Sequence, residues 1–105
     1  MDKKKSIKII KEFAKKLGKE YDIERIIFFG SRATGNYSRD SDIDLIIVSE
    51  DFKGMNRLQR GVNMYNYWPW IIPVDFICLT KNEFNQLKNK ITIVQQAIKE
   101  GILFN

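Results

Sequence analysis

Phe29-Gly30-Ser31-Arg32-Ala33-Thr34-Gly35-Asn36-Tyr37-Ser38-Arg39-Asp40-Ser41-Asp42-Ile43-Asp44-Leu45-Ile46-Ile47-Val48 leaves one apolar run, crosses a small polar turn and enters a second apolar run carrying two acids. A carboxylate inside an apolar strand is costly unless a cation holds it. Asp42 and Asp44 stand two residues apart, so an extended chain points both to one face. Like charges that close repel and raise a pKa unless a cation sits between them. Carboxylate oxygens suit a hard divalent ion such as magnesium, which also takes phosphate oxygens. The Gly30-Ser31 turn upstream offers unhindered backbone N–H groups, and these suit a phosphate. Together the two features predict a site for a metal-bound nucleoside triphosphate. The competing reading is a polar turn before a strand with two solvent-facing acids. Ile43, Leu45, Ile46, Ile47 and Val48 speak against it, because they read as a strand buried on both faces.

The pattern Gly-Ser-x10-Asp-x-Asp, with Gly35 four residues after Ser31 and Ser41-Asp42-Ile43-Asp44-Leu45 at its end, resembles the minimal nucleotidyltransferases. These are small members of the DNA polymerase β-like nucleotidyltransferase superfamily, often encoded beside a HEPN-domain protein. The resemblance is strong over residues 25 to 80 and looser beyond. It implies an α/β (α+β) domain, a small mixed sheet with helices packed on it. It also implies transfer of NMP, AMP from ATP, to a hydroxyl, with two Mg2+ ions held by Asp42, Asp44 and a third acid. Asp75 matches that third place, as the one charge in Pro73-Val74-Asp75-Phe76-Ile77-Cys78-Leu79. Chemically it would be a metal ligand that also helps deprotonate the attacking hydroxyl. The bland alternative for Asp75 is an acid facing water from an edge strand.

Gly30, Ser31 and Arg32 form the expected nucleotide-binding set. Arg32 follows the turn and carries a guanidinium suited to charge on a leaving pyrophosphate. Arg39 is balanced between that role and a surface ion pair with Asp40. The implied partner is a HEPN toxin, the chain being the antitoxin that adenylylates it on a tyrosine. Two alternatives stay open: a catalytically silent antitoxin module that binds its partner, and a nucleotidyltransferase acting on a small molecule or an RNA end.

Composition narrows the field. The 105 residues include no histidine, which excludes a Ser-His-Asp triad, a Cys-His pair and any His-ligated zinc. The single cysteine, Cys78, has no internal disulfide partner and reads as core. Charged residues make up 30% and the net charge is +5. No stretch approaches the length of a membrane span, and Lys8, Lys11 and Glu12 interrupt any signal-peptide core, so the expected location is cytoplasmic. Lysines 3, 4, 5, 8, 11, 15, 16 and 19 lack interleaved aromatics, which favours a solvated helix face over nucleic-acid binding.

One domain is expected over residues 1-105. The spacing predicts an amphipathic helix from about Lys3 to Lys19 with Ile7, Ile10, Phe13, Ala14 and Leu17 on one stripe. Strands are predicted at Arg25 to Phe29, Ile43 to Val48 and Val74 to Leu79, and a one-turn helix at residues 31 to 35. A helix from Arg57 to about Tyr67 should turn Leu58, Val62 and Tyr65 to one side. Thr80-Lys81-Asn82-Glu83 reads as a capping box. A last helix spans Ile91 to Glu100, and Ile102 to Asn105 remain as a tail. Helices on one face of a three- or four-stranded sheet complete the expectation. For Tyr65, Tyr67, Trp68 and Trp70 the sequence leaves three roles open: a wall beside the site, a partner interface, or core and lid packing.

Overall fold

In the computed structural model, which describes residues 2–35, 42–90 and 92–104, the apolar runs become one four-stranded sheet in the order β3-β2-β1-β4. β1 (Ile23–Phe29) and β2 (Ile43–Ser49) pair antiparallel, with Phe29 opposite Asp44. β3 (Val74–Leu79) runs parallel to β2, with Asp44 opposite Asp75. The residues expected as a tail contain a short strand instead. β4 (Ile102–Leu103) pairs antiparallel with β1, and the Phe104 N–H donates to the Ile26 carbonyl at 2.9 Å. Gly101 makes this return possible, since a Cβ there would run into Ile27 and the carbonyls of Ala97 and Phe28.

Strand alternation divides the core into two layers. Ile26, Phe28, Ile43, Leu45 and Ile47 face α1 (Lys3–Leu17), while Ile27, Phe29, Ile46, Val48 and Leu79 lie under α4 (Lys81–Leu87) and α5 (Thr92–Glu100). Helices therefore cover both faces, not one as the sequence predicts. A central strand that is apolar at nearly every position leaves neither face fit for water. In α1 the predicted stripe holds: Ile10, Phe13 and Leu17 are buried, and the Asp2 carboxylate caps the helix by accepting from the Lys5 N–H at 2.8 Å. Among the described residues no helix is long and apolar enough to cross a membrane.

The third long helix departs most from expectation. α3 (Arg57–Met64) stops early, and a 3-10 turn takes Tyr65–Tyr67. The predicted apolar side faces water, with Leu58 80% and Val62 57% exposed, while Arg60 and Met64 are buried. The edge of the sheet supplies the reason. The Ile43 N–H donates to the Pro73 carbonyl at 3.2 Å, so odd-numbered backbone groups of β3 point to β2 and even-numbered ones point to the free edge. Of those edge carbonyls, Val74 accepts from Tyr65 Oη at 3.0 Å and Cys78 accepts from Arg60 Nη1 at 3.2 Å. Arg60 also donates from Nε to the Met55 carbonyl at 3.0 Å and pairs with Glu83 Oε1 at 2.6 Å. Turning Arg60 inward satisfies acceptors that a leucine could not. Those contacts outweigh the burial of Leu58.

Glu83 serves twice, since the expected capping box forms: the Thr80 N–H donates to its carboxylate at 2.8 Å and the Glu83 N–H returns to Thr80 Oγ1 at 3.2 Å. The aromatic run divides by role. Trp68 is core, donating from Nε1 to the Ile72 carbonyl at 2.9 Å and packing edge-on against Phe13 and Phe76. Tyr67 is half-buried against Tyr21, and Trp70 is 86% exposed. Burial pushes the Cys78 thiol up to about 12, with Arg60 opposing, so it is inert core as its sequence setting implies.

Candidate active site

β1 ends at Phe29, and the chain turns through Gly30 into α2 (Ser31–Thr34), which Gly35 closes in a left-handed conformation. Gly30 has φ +83°, a region that side chains disfavour, and a Cβ there would land on the Asp44 carboxylate. The turn is thus pressed directly against the first strand acid. The Ala33 and Thr34 N–H groups both donate to the Gly30 carbonyl, at 3.1 and 3.2 Å, which fixes the turn's shape.

Asp44 and Asp75 are register partners on parallel neighbours. They continue the rows of Ile46 and Ile77 on the α4/α5 side, at the end of the sheet where apolar cover stops. Asp42 lies just before β2 and is exposed. The Asp44 pKa is raised to about 6, first by burial, then by the charges of Asp75 and Asp42. The charges of Asp75 and Asp42 therefore both reach Asp44. Neither ion pair among the described residues reaches them. Carboxylates are oxygen-only ligands of the kind a hard divalent cation takes. Among the described residues no three acids form a ready-made cage. A magnesium ion usually takes one or two carboxylates and completes its shell with water and substrate phosphate.

A cavity of about 320 Å3 opens here, lined by Phe29, Gly30, Ser31, Thr34 and Asp44 on one side and by Ile93, Gln96, Ala97 and Glu100 of α5 on the other. Gly30, Ser31 and Asp44 meet in it. Asp75 stands beside Asp44 without lining it. Arg32 does not line it either: its side chain is buried in α2, only 5% exposed. Arg39 and Asp40 lie outside the described residues. The α5 wall is what sequence reasoning missed. Positions 93, 96, 97 and 100 do form a helical stripe, but nothing local in the sequence says that this stripe faces the Gly30 turn.

The chain has counterparts among known proteins. Residues 7–100 match the family pattern described as nucleotidyltransferase domain. The "Putative protein adenylyltransferase MJ0604" of Methanocaldococcus jannaschii is 49% identical over 45 residues, covering 41% of this chain and 45% of that protein, so the match spans less than half of that relative. The "Probable protein adenylyltransferase MntA" of Haemophilus influenzae is 29% identical over 103 residues, covering 95% of this chain and 87% of that protein. Among solved structures, a nucleotidyltransferase-titled protein of Sulfolobus solfataricus superimposes with a TM-score of 0.70 at 26% identity, over 97% of this chain and 81% of that one. With the pattern covering nearly the whole sheet and its helices, the chain belongs to the nucleotidyltransferase domain family, and its relatives include proteins named as protein adenylyltransferases.

Proposed function

We propose that this domain transfers AMP from ATP to a hydroxyl group, releasing pyrophosphate, and that the acceptor is a tyrosine of a HEPN-domain toxin, for which the domain acts as antitoxin. One observation carries the chemistry: Asp44 and Asp75 side by side, with the Gly30 turn against Asp44 at the mouth of a cavity. The MntA-like similarity supports the choice of a protein acceptor.

The residues divide the work. Gly30 and Ser31 receive the β- and γ-phosphates, because only a glycine lets the backbone come this close. Asp42, Asp44 and Asp75 are the group to hold two magnesium ions, which when bound lower the acceptor's pKa and offset charge on the pyrophosphate. Asp75, the more exposed member of the strand pair, accepts the proton of the attacking hydroxyl. The oxygen then bonds to the α-phosphorus as the bond to the bridging oxygen breaks. Arg32, directly after Ser31, is the third member of the phosphate-binding set, its guanidinium offsetting charge on the pyrophosphate.

The test is incubation with ATP labelled at the α-phosphate, magnesium and a HEPN-domain protein from the neighbouring genes. Label should appear on the partner and vanish with Asp44→Asn. Binding and neutralisation without label would establish the silent module instead.

A further inference from the structure

The cavity is chemically divided. At one end are the Gly30-Ser31 turn and Asp44, where phosphates and their counter-ions belong. Across from them α5 presents Ile93, Gln96 and Glu100, three positions on one helical face. Glu100 is the only charged lining group on that wall. Its Oε2 accepts from Gln96 Nε2 at 3.4 Å. No ion pair among the described residues neutralises it.

A carboxylate would repel a triphosphate, so this wall suits the uncharged part of the ligand. An ionised carboxylate only accepts hydrogen bonds, and the ribose of a ribonucleotide offers hydroxyl donors. Phe29, Ala97 and Ile93 add apolar surface for the flat face of a base. The cavity, about 320 Å3, is within the size range of small-ligand sites.

We propose that α5 is the nucleoside-reading wall of this site, and that Glu100 accepts a hydrogen bond from the ribose 2′-hydroxyl, so the domain selects ribonucleoside over 2′-deoxyribonucleoside triphosphates. The inference rests on the cavity being the nucleotide site. A site built to pair a hydroxyl rejects the analogue that lacks it, because its own polar group is left unpaired.

The experiment is calorimetric titration of the full chain with magnesium-ATP and magnesium-dATP, for wild type, Glu100→Ala and Glu100→Gln. Glu100 is exposed at the last position of α5, so its replacement leaves folding intact, which a melting curve checks. Wild type should bind ATP tighter by about tenfold or more. Glu100→Ala should bring the ratio to about one by weakening ATP alone, and Glu100→Gln should recover part of the preference. Equal wild-type affinities, or an unchanged ratio in Glu100→Ala, would overturn the proposal while the nucleotide site stands. A change in ATP-over-GTP preference without a change in ATP-over-dATP would likewise overturn it, assigning Glu100 to the base. Binding of neither nucleotide by wild type would bring down the site reading and this inference together.

Discussion

Two groups of charged residues flank β3, and they are treated in opposite ways. Around Arg60 every charge is answered: the guanidinium meets two carbonyls and the Glu83 carboxylate, and lies 5.9 Å above the Phe52 ring. Burial alone would raise the Glu83 pKa, but the Thr80 N–H and Arg60 outweigh it and hold the group below its ordinary value. Around Asp44 the balance fails: burial, Asp75 and Asp42 all push the same way, and the pKa climbs to about 6. The first group ties a helix to a sheet edge. The second meets no cation among the described residues. Unanswered charge, more than charge itself, separates the site from the scaffold.

The sharpest way to break this contrast is to remove the answered charge. Arg60→Met takes away a buried cation and leaves the Cys78 and Met55 carbonyls and Glu83 without their donor. The expected loss is about 3–5 kcal/mol, or a melting temperature lower by more than about 10 °C in a domain of this size, read by thermal denaturation. A loss below about 1 kcal/mol would mean that the Arg60 group is decorative.

The opposite sign is expected at Asp44. Its folded pKa lies above the unfolded value, so between about pH 4 and pH 6 the folded state holds the extra proton and stability falls as pH rises. The penalty is fully present above pH 6. A two-unit shift is nominally about 3 kcal/mol, but Asp44 is half-buried and solvent screening reduces it to about 1 kcal/mol. Without metal, Asp44→Asn should therefore be more stable than wild type by about that amount at pH 7, and show no gain at pH 3.5. Denaturant titrations in chelator at the two pH values check this. An Asp44→Asn variant that is less stable at pH 7 would show that the carboxylate is answered after all.

The smallest effect belongs to the outward side of α3. Leu58→Ser and Val62→Ser should each change stability by no more than about 0.5 kcal/mol, since both side chains are largely in water. Chemical denaturation distinguishes this from the several kcal/mol that the periodicity of the sequence would imply.

These residues also show what a sequence can disclose. The three longer strands, to within two residues, and the Gly30 turn were legible because each leaves a local mark, an apolar run or a glycine, while the place of Asp75 beside Asp44 came from the family resemblance and β4 was missed. The inward turn of Arg60 was not. Leu58, Val62 and Tyr65 look like a core stripe, yet only Tyr65 reaches the sheet edge, and the orientation of the β3 carbonyls, a property of the strand order, turns Arg60 in where Leu58 and Val62 turn out. Covering of both sheet faces was written in Ile43 to Val48, though the helices doing it are far off in sequence, α1 upstream for one face and α4 and α5 downstream for the other. The α5 wall needed the fold itself, since Glu100 and Gly30 are brought together by the return of the chain through Gly101 to β4. Arg32 shows the limit from the other side: its position in the motif is plain, and its burial is not.

The central claim is that the acids beside the Gly30 turn form a site completed by a divalent cation and a nucleotide together. Melting temperature measured for wild type and Asp44→Asn with magnesium alone, ATP alone, and both, tests it most directly. The account predicts a rise of several degrees for wild type only when both are present, consistent with mass-action stabilisation of about 2–3 kcal/mol at 100-fold excess over Kd, and no rise for Asp44→Asn. An equal rise with ATP in chelator, or the same rise in Asp44→Asn, would contradict it.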